Sequence, residues 1–159
     1  MGDWWPSPAL APSQRARVAS LNLHMLAPSC LGKSHYLCWV GPLLLIHAEV
    51  SRVPPRVPGV YLLHVLATTD GSYAILYAGK SADLHRRLSD HLDAARAKYL
   101  IRAAHRGFRL YFSAAPVISA ALRDQVESGL IWALRPVANQ QFPTAPPVLV
   151  NLPPLTLWR

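Results

Sequence analysis

Residues 58–142 carry strand and helix signals in the order strand, strand, helix, strand, helix, and that order leaves few folds open. An apolar, β-rich run over 60–67 follows Pro58-Gly59. Asp70-Gly71 is a turn signal, and 73–78 reads as a second strand, making a hairpin with the first. Ser81 can cap a helix that is predicted to run to about Ala104, with Asp83 in the first turn, where the helix dipole favours an acid. Gly107 stops that run, 108–113 reads as a third strand, and 119–134 reads as a second helix ended by Pro136. The expected fold is α/β: a small three-stranded antiparallel sheet flanked by helices, in one domain with extended terminal segments. Residues 1–57 are rich in Pro, Ser and Trp without a sustained period and read as an N-terminal extension. Residues 143–159 hold five prolines and read as an extended tail.

Charge narrows the partners. Of 159 residues only 15% are charged, against about 25% in ordinary globular chains, yet 16 Lys and Arg face 8 Asp and Glu. The net charge of +8 points to a polyanion, nucleic acid or an anionic membrane surface. The most apolar stretch, 36–46, is too short to span a bilayer and contains Gly41 and Pro42. The N-terminus shows no secretory pattern, and Cys30 and Cys38 make no disulfide framework, so a cytoplasmic, intracellular protein is expected.

The second helix carries the first chemical clue. Leu130, Ile131 and Leu134 lie three, four and seven residues after Glu127, which puts Glu127 on or beside the core-facing stripe. A carboxylate there tilts into solvent, pairs with an arginine, or meets a metal ion. On the first helix, Arg87 shares a face with Leu84, Leu88 and His91. An Arg and a His directed at the same core as a Glu suit a charged group such as phosphate. In the hairpin, Tyr61 and Tyr77 each stand near a glycine, Gly59 and Gly79, which would let a ligand backbone approach closely. Ordinary strand packing is the other reading of both tyrosines.

Pro58-Gly59-Val60-Tyr61, Tyr77-Ala78-Gly79-Lys80-Ser81 and Asp83-Leu84-His85-Arg86-Arg87-Leu88 together resemble the signature of the GIY-YIG nuclease family. Glu127-Ser128-Gly129-Leu130-Ile131 and Leu134-Arg135-Pro136-Val137-Ala138-Asn139 continue the pattern, over residues 58–142. The spacing from Glu to Asn is similar to that in the nuclease domain of the bacterial excision-repair incision subunit. The resemblance implies a metal-dependent endonuclease that hydrolyses DNA phosphodiester bonds with Mg2+ or Mn2+. It implies catalytic roles for Tyr61, Tyr77, Arg87, His91 and Asn139, with Lys80 matching a lysine of some members, and a metal-binding role for Glu127. Tyr61 is the preferred group to orient or deprotonate the attacking water, with help from Tyr77, Lys80 or His91. The chain departs from the family in a longer gap between its two tripeptides, 15 residues over 62–76, and in Ala78 where a larger apolar residue is usual.

Other motifs carry less. Gly79-Lys80-Ser81 lacks the upstream glycine of a P-loop, since Ala74 stands there. His24, Cys30, His35 and Cys38 have spacings that match no common zinc module. Arg86, Arg96, Lys98, Arg102, Arg106 and Arg109 read either as a solvated face or as contacts to a DNA backbone. With no attached helix-turn-helix or zinc finger, specificity is expected from a protein partner or from DNA shape. The alternative functions are a non-cleaving DNA-binding module within a repair or mobile-element complex, and a small basic protein bound to membranes through 36–50.

Overall fold

The structure, a computed structural model, describes residues 34–66, 73–93, 108–141 and 143–153. Strands β1 (Ser34–His35), β2 (Val40–Leu44), β3 (Gly59–Leu66), β4 (Tyr73–Ser81), β5 (Leu110–Pro116) and β6 (Leu149–Val150) accompany helices α1 (His47–Val50), α2 (Leu84–Leu92) and α3 (Ala120–Leu134). The main sheet is antiparallel with the order β2-β5-β3-β4; β1 and β6 form a separate parallel pair.

The sheet therefore has four strands where three are expected from the sequence. The fourth, β2, pairs with β5 at Leu43–Phe112 and Leu44–Tyr111. Pro42 lacks a ladder donor and Gly41 weakens a strand, so the stretch reads poorly as β from sequence. Both are tolerated because β2 is an edge strand.

β3 is the central element, and seven of its eight residues are buried. Successive side chains of a strand point to opposite faces. Val60 and Leu62 join a core with Val126, Leu130 and Ile131 of α3. Tyr61 and Leu63 join a second core with Val50 of α1 and Leu84 and Leu88 of α2. With helices on both faces, β3 reads as a continuous apolar run instead of an alternating one. β4 carries one extra residue, Leu76, between the partners of Leu63 and His64. This bulge turns Leu76 and Tyr77 together to the α2 side, where both pack on the second core.

Two asparagines fasten the periphery. Asn139 accepts from Ala78 N–H and donates to Ala78 C=O, both at 2.9 Å, while Ala138 N–H donates to Leu76 C=O. The loop after α3 thereby covers the outer edge of β4. Asn151 makes the same pair of bonds with Leu37, and Trp39 Nε1–H donates to Asn151 C=O at 2.8 Å. The proline-rich segment also packs on α3. A Cβ on Gly129 would stand 2.2 Å from Val148 O, and Ser128 Oγ donates to Ala145 C=O at 2.6 Å.

α2 begins later than expected. Ser81 is the last residue of β4, and the N-cap is Asp83, whose side chain accepts from Arg86 N–H. The helix ends at Leu92, because Asp93 is extended. The remainder of the helix expected to reach Ala104 lies outside the described residues.

Candidate active site

The residues singled out from the sequence fall into two groups that share strand β4. The first lies on the α2 side. Arg87, one turn into α2, donates through Nε to the Tyr61 hydroxyl at 3.1 Å. The same hydroxyl is 2.9 Å from His91 Nε2. Tyr77 completes the group, its ring centroid 6.0 Å from that of Tyr61 and 5.9 Å from that of His91. Tyr61 is fully buried and His91 is 9% exposed. α2 brings Arg87 and His91 to one phenol because residues four apart share a helix face, and Leu84 and Leu88 seat that face in the core.

The electrostatics follow from this crowding. Arg87 is held further in its charged form, chiefly by the Tyr61 phenol. Burial, with the Arg87 charge adding to it, lowers His91 to about 4, so its ring is neutral near pH 7. Arg87 can only donate, so the Tyr61 oxygen accepts from it, and an unprotonated His91 Nε2 is an acceptor for the Tyr61 hydroxyl hydrogen.

Gly79 has a different part from the one read in the sequence. A Cβ there would stand 2.6 Å from the Tyr61 hydroxyl oxygen and 2.7 Å from the Tyr77 ring. Its missing side chain makes room for the two phenols themselves. Gly59 likewise lies against Ala115 O and Leu84.

The second group lies on the α3 side. Lys80, adjacent to Gly79 and opposite Val60, places its Nζ 2.8 Å from Glu127 Oε2 and 3.0 Å from Asp124 Oδ1. Glu127 keeps only 14% of its side chain exposed, while Lys80 and Asp124 keep 40% and 50%. The two carboxylates raise the Lys80 pKa, Glu127 most strongly, so Lys80 is a firm cation here and is placed with Glu127 instead of beside Tyr61. Asp124 escapes a sequence search because no motif includes it. Its position three residues before Glu127 on one helix is the signal that could have found it.

Among the described residues no group of three or more His, Cys, Asp or Glu gathers as a metal cage. Mg2+ keeps several waters and is commonly held by one or two carboxylates, so a single, largely buried glutamate suits it. A cationic ammonium already sits against Glu127, which marks the position as favourable to positive charge. The donor set therefore fits a hydrated divalent ion.

Asn139 makes backbone contacts to β4 through both ends of its amide. Arg86 is exposed on α2 and Arg109 is exposed before β5. Arg96, Lys98, Arg102 and Arg106 lie outside the described residues, as do His24 and Cys30 of the weighed zinc set. His35 is exposed in β1, and Cys38 is a free thiol. No helix among the described residues is long and apolar enough to cross a membrane.

No curated protein and no solved structure gives a significant match to the chain. The family model described as the GIY-YIG catalytic domain matches residues 58–140, which is more than half of the 159 residues and contains both groups of the site. The chain belongs to the GIY-YIG catalytic domain family, a family of nucleases.

Proposed function

We propose that the chain is an endonuclease that hydrolyses DNA phosphodiester bonds with the help of Mg2+ or Mn2+. The observation that carries the reading is the Tyr61 hydroxyl held between Arg87 Nε and His91 Nε2. A cation bonded to a phenol oxygen favours its ionised form, and the neutral His91 ring, too weak a base at about 4 to take the phenol proton, accepts its hydrogen bond and fixes the direction of the hydroxyl. Tyr61 is then the group that orients the attacking water and, in the ionised form that Arg87 favours, takes its proton. Tyr77 packs beside it and helps to hold it. Arg87, already beside the phenol, offsets negative charge on the phosphoryl oxygens in the transition state. Glu127 is the residue that would hold the divalent ion; when bound, the ion supplies Lewis-acid stabilisation of the phosphate and of the departing oxygen. Asn139 acts at one remove, by holding the edge of β4 on which Tyr77 and Lys80 stand.

Affinity for DNA comes from the excess of basic residues, with Arg86 and Arg109 among the exposed ones. The likeness to the excision-repair incision subunit is part of this proposal and rests on the spacing from Glu127 to Asn139. A partner protein or the shape of the DNA supplies specificity.

The test is a panel of duplex, flap, branched and single-stranded DNAs incubated with Mg2+ or Mn2+, for the natural chain and for Glu127→Gln. Cleavage that needs the metal and vanishes in Glu127→Gln, while DNA binding persists, is the expected result. Undiminished metal-dependent cleavage by Glu127→Gln would remove Glu127 from the site. Binding without cleavage of every DNA by the natural chain would leave a DNA-binding module.

A further inference from the structure

We propose that Asp124 is a positioning residue that retains Lys80 when a divalent cation takes Glu127. The inference rests on the reading of Glu127 as the metal-holding residue.

Lys80 Nζ is shared by two carboxylates three residues apart on α3, 2.8 Å from Glu127 and 3.0 Å from Asp124. The carboxylates are not equivalent. Glu127 is 14% exposed and faces the sheet, whereas Asp124 is half-exposed at 50%. An incoming cation and the Lys80 ammonium cannot both sit on one Glu127 oxygen, because like charges at contact repel. Lys80 must yield the oxygen that the cation takes, and only its side chain is able to move. Its backbone is fixed in the β4–β3 ladder opposite Val60. Asp124 offers it a partner already within bonding distance, so leaving Glu127 does not strand an unpaired ammonium. Lys80 also stays beside α3 instead of swinging into solvent. Without Asp124, Glu127 is the carboxylate left to Lys80 in this trio, and the lysine competes with the metal for it.

The competition has a bounded size. Exposed ion pairs contribute up to about 1 kcal/mol, which corresponds to roughly a two- to fivefold change in apparent affinity.

The experiment is Mn2+ binding to the full chain without DNA, followed by the electron paramagnetic resonance signal of free Mn2+. Asp124→Asn should weaken binding by roughly two- to fivefold, and Lys80→Met alone should tighten it. In the Lys80→Met background, Asp124→Asn should change binding hardly at all, because there is no lysine left to retain. Melting temperatures of all the variants identify any that fail to fold; the comparison within the Lys80→Met background needs only that this pair folds. An equal loss in both backgrounds would overturn the proposal, since Asp124 would then act as a ligand or as a general negative charge. No change on Asp124→Asn in the natural background would overturn it too. Glu127→Gln tests the underlying reading separately: it should abolish Mn2+ binding, and unchanged binding removes the metal-holding role of Glu127 and this inference with it.

Discussion

Arg87 Nε lies 3.1 Å from the Tyr61 hydroxyl, whereas Arg86, the preceding residue, is exposed, its backbone N–H taken by the Asp83 cap. Neighbours on a helix point about 100° apart and cannot share one role. A general loss of positive potential would affect the two alike; a role in the site would not. Arg87→Ala is expected to lower single-turnover cleavage by at least about a hundredfold, the scale of losing one preorganised charge. Arg86→Ala should change it less than about tenfold, mainly through binding, as a screened surface charge does. If Arg86 proves essential and Arg87 dispensable, the hydrogen bond to Tyr61 is irrelevant to turnover.

The Asn139 amide spends both of its hydrogen-bonding ends on Ala78. Among the described residues no strand lies beyond β4 in the sheet, so this loop stands in for one. Asn139→Ala removes two bonds of about 1 kcal/mol each and is expected to destabilise the chain by about 1–3 kcal/mol in urea denaturation. Asn139→Asp keeps an acceptor for Ala78 N–H but sets a carboxylate against Ala78 C=O, so it should not rescue. An unchanged midpoint for Asn139→Ala would show that the edge of β4 holds without this clasp.

Much of the core of this arrangement is legible in the sequence, and the rest is hidden for physical reasons. Helical spacing puts Leu84, Leu88 and His91 on one face and Glu127 beside Leu130 and Ile131, and the structure buries Leu84, Leu88, His91, Leu130 and Ile131 and leaves Glu127 mostly covered. That periodicity is local, so a single helix reports it. β2 is hidden because Gly41 and Pro42 are poor strand residues whose presence makes sense only once β5 is known to lie on one side alone. The end of α2 at Leu92 is hidden because Asp93 is followed by Ala94-Ala95, with neither glycine nor proline to mark it. The split of the site into a Tyr61 group and a Glu127 group depends on which sheet face each helix covers. Only the strand order and the alternation along β3 and β4 decide that. Lys80 follows from the same alternation: one residue from Gly79, it turns to the opposite face and meets Glu127.

The basic run makes a prediction that depends on salt. Neutralising phosphates releases counterions, so DNA affinity should fall steeply as salt rises. Replacing Arg102 and Arg106 together by Ala is expected to flatten that dependence by up to about two phosphate contacts. Fluorescence anisotropy with a duplex at several salt concentrations measures the slope. An unchanged slope would take Arg102 and Arg106 off the DNA path and move that path elsewhere, towards the N-terminal zone.

His64 and His91 make the stability of the fold sensitive to acid. His64 is fully buried on β3, with Nε2 3.1 Å from Ser113 Oγ and its ring stacked on Tyr111. Burial lowers its pKa from 6.5 to about 4, and burial with Arg87 does the same to His91. Above pH 6.5 both rings are neutral whether the chain is folded or not, and their effect on stability is level. Between about 6.5 and about 4 the unfolded chain takes up protons that the folded chain refuses, so stability falls as pH falls. Below about 4 both states are protonated and the loss stops growing. For His64 a change from 6.5 to about 4 corresponds to about 3 kcal/mol by the end of that window. Denaturation midpoints at pH 7.5 and pH 4.5 measure the total. His64→Gln keeps a polar partner for Ser113 but cannot be protonated, so it should lose clearly less between the two pH values. Should the variant itself fold poorly, the His64 ring proton resonance of the natural chain gives the same answer. A midpoint near 6.5 in that titration, or an equal acid loss in His64→Gln, would show that this buried ring takes up its proton in the folded state as readily as in the unfolded one.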